Sequence, residues 1–215
     1  MEIEVKAKKP YNLESAHIND SFDKGKSALE KKGYKIISLE ENAKLRMQEG
    51  TDKDISRYGN WTREGVIYLP SKEVYLAKQS PIIKNAEEAT DCHRKKYEFY
   101  LTDNQVSDAI KKGMAVKFPK NQDYAIPTDK FGEDAITDFA FGKIAKDYGL
   151  FLEEEDKIYA MPVWLAGFEN RLFARQMYFE CLGFDGMSDL FGKHRDLSYV
   201  DNRVRGTRKV SGELL

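Results

Sequence analysis

The chain has 215 residues, 41% apolar and 12% aromatic, with 33% charged residues and a formal net charge of −1. That is enough chain for one large domain burying roughly 70% of its unfolded surface, and its aromatic content excludes a disordered protein. The near-zero total hides a segregation: residues 1–120 hold 23 basic and 19 acidic groups, residues 121–192 hold 6 and 14, and residues 193–215 hold 6 and 3.

Such asymmetry predicts an interaction surface or a self-complementary assembly. Cys92 and Cys181 lie far apart and imply no disulfide framework. The stretch Met1 to Val5 lacks the basic and apolar regions of a secretory leader. No apolar run reaches the roughly 18 residues of a membrane helix, so a cytoplasmic protein with no membrane partner is expected.

In chain order, Ile3 and Val5 alternate with charges and predict a short edge strand. Residues 14–32 predict a helix stopped by Gly33, and residues 34–37 a short strand. Ser38-Leu39-Glu40-Glu41 is a capping box opening a helix stopped by Gly50. Residues 51–65 predict a polar loop carrying aromatics. Residues 66–69 and 74–77 predict a hairpin around Pro70, and residues 97–101 a strand. Thr102-Asp103-Asn104-Gln105 is a second capping box, with a strand at 114–118 beyond it. Residues 133–148 and 168–182 give the clearest helical periods, ended by Gly149 and Gly183. Pro162 marks 158–166 as an edge strand or loop, and a short helix is expected around 187–191.

Several motifs match in part. Gly25-Lys26-Ser27 ends like a phosphate-binding loop, but Asp20 stands where the first glycine belongs and would repel phosphate. His194-Arg195-Asp196-Leu197 reads like a kinase catalytic loop, yet Asp201 stands where the metal-binding Asn belongs and no Asp-Phe-Gly follows. His17, His93, His194, Cys92 and Cys181 have no metal-ligand spacing, so no metal or cofactor is expected. Glu4 and Lys6 on a strand, or His93, offer a hydrolase or nuclease reading.

Three basic and aromatic groupings share a chemistry. Arg57, Tyr58, Trp61 and Arg63 combine guanidinium forks for phosphate with rings that stack on bases. Arg171 and Arg175 fall four apart on the expected helix 168–182, like charges that an anion or a facing acid would relieve. Residues 193–209 add Arg195, Arg203, Arg205, Arg208 and Lys209 to a basic segment.

The expectation is therefore an α+β domain over 1–192, with roughly five short strands in a mainly antiparallel sheet and roughly five helices. An extended basic arm occupies 193–215. The leading functional reading is a non-catalytic binding protein with an anionic partner, possibly nucleic acid. The alternatives are a homo-oligomer whose arm docks on the acidic segment 121–192, and a hydrolase. No family is identifiable from these residues.

Overall fold

Strand pairing organises the chain more than its helical periods suggest. The structure is a computed structural model and describes residues 2–4 (as backbone), 11–111, 113–180, 188–193, 196–201 and 203–209. Its strands are β1 (Glu2–Glu4), β2 (Leu13–Asn19), β3 (Lys35–Ile36), β4 (Asn60–Tyr68), β5 (Val74–Ala77), β6 (Phe99–Tyr100), β7 (Ala115–Lys117), β8 (Tyr124–Pro127), β9 (Ala160–Trp164), β10 (Phe173–Glu180), β11 (Asp189–Phe191) and β12 (Arg203–Lys209). They join in one sheet whose main path runs β1-β2-β12-β4-β10-β11-β9-β8. The pairs β12–β4 and β11–β9 are parallel, so the sheet is mixed.

The helices are α1 (Phe22–Glu30), α2 (Leu39–Glu49), α3 (Asp54–Arg57), α4 (Pro81–Lys84), α5 (Ala86–Arg94), α6 (Asp103–Ala109), α7 (Ala135–Phe141) and α8 (Ala145–Glu154). Two buried clusters show where they pack. One joins α2, α7 and α8 to Val66, Tyr68, Met177, Phe179 and Leu190. The other joins α1 and α5 to Trp61, Ile67, Ala174 and Val204. Phe131, Phe141, Tyr148 and Phe179 interlock in the first, with Phe141 and Tyr148 centred 4.9 Å apart. Burying each such ring contributes roughly 1.5–3 kcal/mol, against about 0–1 for a surface ion pair, so the aromatic core sets the stability.

The expected short sheet with about five helices is therefore corrected to a large mixed sheet. Within the expected helix 168–182, residues 173–180 are strand β10, which crosses the middle of that sheet between β4 and β11, and 181–182 lie outside the described residues. Phe173, Met177 and Phe179 face one cluster while Ala174 and Tyr178 face the other. A strand covered on both faces carries apolar residues on both, so it loses the simple alternation of a half-buried strand and imitates a helix pattern.

Residues 14–32 divide into β2 and α1 for the same reason, since β2 is buried from Leu13 to His17. Residues 133–148 break at Gly142, whose φ of +59° favours glycine. Gly149 does not end that region but lies inside α8, where a Cβ would come 2.4 Å from the Thr128 carbonyl oxygen. Strand β9 is flanked by both β8 and β11 despite Pro162. Residues 189–191 form a strand, not a helix.

Local signals fare better. Ser38 and Thr102 both make complete capping boxes, and Gly33 and Gly50 adopt the positive φ that stops a helix. The hairpin pairs Val66 with Leu76 and Tyr68 with Val74.

Candidate functional site

The basic C-terminal segment is largely structural rather than an extended arm. Strand β12 inserts between β2 and β4, pairing Arg205 with His17 and Gly206 with Ala16. A central strand must satisfy its inward polar groups, and here acids from the N-terminal half do so. Arg205 is fully buried; it donates to Asn60 Oδ1 at 3.0 Å, Ser15 Oγ at 3.0 Å and Asp54. Arg203 also donates to Asp54 and lies 3.7 Å from the centre of the Tyr58 ring. Burial acts to raise the Asp54 pKa, but the Arg203 hydrogen bond and both arginine charges outweigh it and hold the carboxyl low. Arg208 donates twice to Glu14 at 3.0 Å, and Tyr34 donates to the same carboxylate.

Of the other sequence-predicted site residues, Trp61 is fully buried under Phe22, unable to stack on a base. The expected loop around it is the long strand β4. Arg175 is buried in an ion pair with Glu98, at 2.5 and 3.0 Å. Arg63 is half-buried, and its backbone bonds Ile37 and Ser80. Exposed are Arg57, Tyr58, Arg208, Lys209 and Arg171, the last stacked 3.8 Å over Tyr100. Arg195 lies outside the described residues.

Arg171 and Tyr58 sit at opposite ends of β4, because Phe173 pairs with Tyr68 while Phe179 pairs with Asn60. Nine residues of strand separate those ends by roughly 25 Å. Arg171 thus stands apart from Tyr58, Arg203 and Arg205, which gather around Asp54.

What the sheet does bring together is a row of aromatics. Trp61 on β4 pairs with Tyr178 on β10, Tyr178 with Phe191 on β11, and Phe191 with Trp164 on β9. Directly paired residues project from the same face, so the four rings form one line across four strands. The row starts in the core, where Trp61 and Tyr178 meet edge to face at 5.0 Å. From Tyr178 outward it is half-buried, and Phe191 and Trp164 centre 6.2 Å apart.

At its outer end stands a charged cage. The Lys193 ammonium lies 4.2 Å from the Trp164 ring centre and 5.6 Å from that of Phe191. It pairs with Asp123 Oδ2 at 3.0 Å. Trp164 Nε1–H donates to Asp189 Oδ2 at 2.8 Å, which fixes the indole. Asp123 Oδ1 accepts from the Leu165 N–H at 2.7 Å, which fixes the carboxylate.

The Lys193 backbone is held as firmly. Arg175 donates to its carbonyl at 2.5 Å, and the Gly192 N–H donates to Trp164 O at 2.8 Å. Gly192 is required there: a Cβ would approach Val66 to 2.8 Å. A cation over rings contributes about 0.5–2 kcal/mol and an exposed ion pair about 0–1, so the ammonium is held less firmly than its backbone.

The polar interior shows one further anomaly. Glu64 is fully buried, accepts from the Leu39 N–H at the start of α2 at 3.0 Å, and is pushed up to about 7 by burial. Beside it Gln176 donates to the Glu64 carbonyl at 2.9 Å and to that of Thr62, covering oxygens left by the irregular β4–β10 register. Among the described residues no cluster of His, Cys, Asp or Glu has metal-binding geometry. His93 is buried on α5.

No family model matches the chain, and no curated protein matches it significantly. A solved structure does, one showing accommodation of massive sequence variation in Nanoarchaeota by the C-type lectin fold. This chain is similar to the C-type lectin fold. The TM-score is 0.64 at 11% identity, over 92% of this chain and 97% of that one. At that identity the likeness is one of fold alone, and the C-type lectin fold supports the sheet-rich architecture in place of the expected short sheet.

Sequence reasoning missed Trp164, Phe191, Asp123 and Asp189. The signal available was thin: Trp164 ends an apolar stretch, and Phe191-Gly192 looks like a turn or core pair.

Proposed function

We propose that this is a non-catalytic binding protein that engages a protein partner through the face bearing Tyr178, Phe191 and Trp164. The observation that carries this is the aromatic row, continuous from core to surface. Rings anchored in the core at one end and half-buried at the other suit the centre of a protein interface. Asp123 and Asp189 flank the row, and Glu180 pairs with Asp189 on the same two strands. The segment 121–192 around it holds six basic and fourteen acidic residues, a balance of −8. That charge favours a basic partner and disfavours phosphate. In the Nanoarchaeota structure the fold accommodates massive sequence variation, which fits a scaffold whose stability resides in buried ladders rather than in its exposed face.

The test compares capture by the wild-type chain and by a Trp164→Ala/Phe191→Ala variant of equal secondary structure. A protein retained by the first, lost by the second and rebound as a purified component supports the reading. Equal retention by both chains refutes it.

A further inference from the structure

The cage at the end of the row already contains a ligand-like group from the chain itself. Two ring faces, one carboxylate and an alkylammonium are the parts of an ammonium receptor. Lys193 fills it with a side chain that is 35% exposed, opposite an Asp123 side chain that is 41% exposed. The receptor walls are fixed from behind, the indole by Asp189 and the carboxylate by the Leu165 N–H. Arg175 and Gly192 hold the Lys193 backbone, so its four-carbon stem can swing into solvent without disturbing the strand.

The surroundings favour a cation from outside. Among the described tail residues beyond Lys193, Arg203 and Arg205 are committed to Asp54 and Arg208 to Glu14. Within the segment, Arg175 is turned to Glu98 and Arg171 to the Tyr100 ring. Lys120 lies over Tyr124 on the neighbouring strand, 5.6 Å from its centre.

Resting on the reading of this face as a binding face, we propose that Trp164, Phe191 and Asp123 receive a lysine ammonium from a basic segment of the protein partner. Lys193 occupies the receptor as an internal competitor until that lysine displaces it. An occupied receptor lowers apparent affinity by the fraction of time it is filled. Removing the competitor therefore tightens binding, although it deletes a residue from the face.

The test titrates a synthetic hexalysine peptide into the full chain and follows the indole N–H signals of Trp164 and Trp61 by NMR. The expected result is a saturable shift of the Trp164 signal, with Kd about tenfold lower in Lys193→Ala than in wild type. Lys193→Met, which keeps the stem and removes the charge, is expected to fall on the same side. Adding Asp123→Asn to either variant should weaken binding about fivefold. The Trp61 signal should stay still, and hexaglutamate should give no shift.

A Trp164 response with no difference between wild type and Lys193→Ala overturns the competitor while leaving the binding face standing. No Trp164 response in any chain overturns the lysine receptor, and the capture comparison then decides separately whether the face binds another partner. Equal shifts at both indoles would mean non-specific association and also overturn it.

Discussion

Arg205 and Lys193 belong to one basic C-terminal segment and end in opposite circumstances. Arg205 is sealed between strands, its guanidinium divided among Asp54, Asn60 and Ser15. Lys193 lies at the surface on two ring faces and one half-exposed carboxylate. The chemistry of each residue suits its place. A rigid guanidinium fork satisfies several fixed acceptors at once, whereas an ammonium on a flexible stem can exchange one partner for another. The comparison teaches that a count of cations does not separate those that hold a fold from those available to a ligand; burial and the number of fixed acceptors do.

The largest expected effect breaks the sealed side. Arg205→Ala leaves a cavity, removes the buried donor of Asn60 and Ser15 and takes one of two arginines from Asp54, and is expected to destabilise by about 3–5 kcal/mol in chemical denaturation. Little or no loss would mean that water replaces the guanidinium and that β12 is held by its ladder alone.

Glu64→Gln comes next. A carboxyl at about 7 in the folded chain and 4.5 unfolded contributes most below pH 4.5, and that contribution is lost as pH rises through 7. The nearby charges of Arg63 and Lys78 already favour its ionised form, so burial has the larger effect. The variant should be more stable than wild type by up to about 3 kcal/mol above pH 7, and equal to it below pH 4.5. A pair of parallel stability–pH curves would contradict this.

Gly59→Ala probes the inner end of the aromatic row, where a Cβ would fall 2.3 Å from the Tyr178 ring. Moving that ring off Trp61 should cost about 1–3 kcal/mol and weaken partner capture. Lys193→Ala is the smallest change, expected within about 1 kcal/mol of wild-type stability. A loss comparable to that of Arg205→Ala would erase the distinction between the two cations.

The mixed outcome of the sequence reading follows from the range of the interactions involved. Ser38 and Thr102 cap their helices with residues three positions away, and Gly33 and Gly50 stop helices through their own φ. Arg171, Arg175 and Tyr178 fall four and three apart, the spacing of one helix face, and no local rule reveals that both faces of that segment are covered. The tail was given the acidic segment 121–192 as its internal partner by net charge. Lys193 does meet Asp123 of that segment, but Arg203 and Arg205 pair with Asp54 and Arg208 with Glu14, because strand register, not total charge, decides which acids those arginines meet.

The sequence by itself determined the two capping boxes, the helix stops at Gly33 and Gly50, the 66–77 hairpin and the segregation of charge, since each depends on neighbouring residues or on a sum over them. Tertiary structure alone decided that Trp61, Tyr178, Phe191 and Trp164 would stand in line and that Lys193 would close the end of it. Those contacts join strands distant along the chain, and a slip of one residue in any of the ladders would turn a ring to the opposite face.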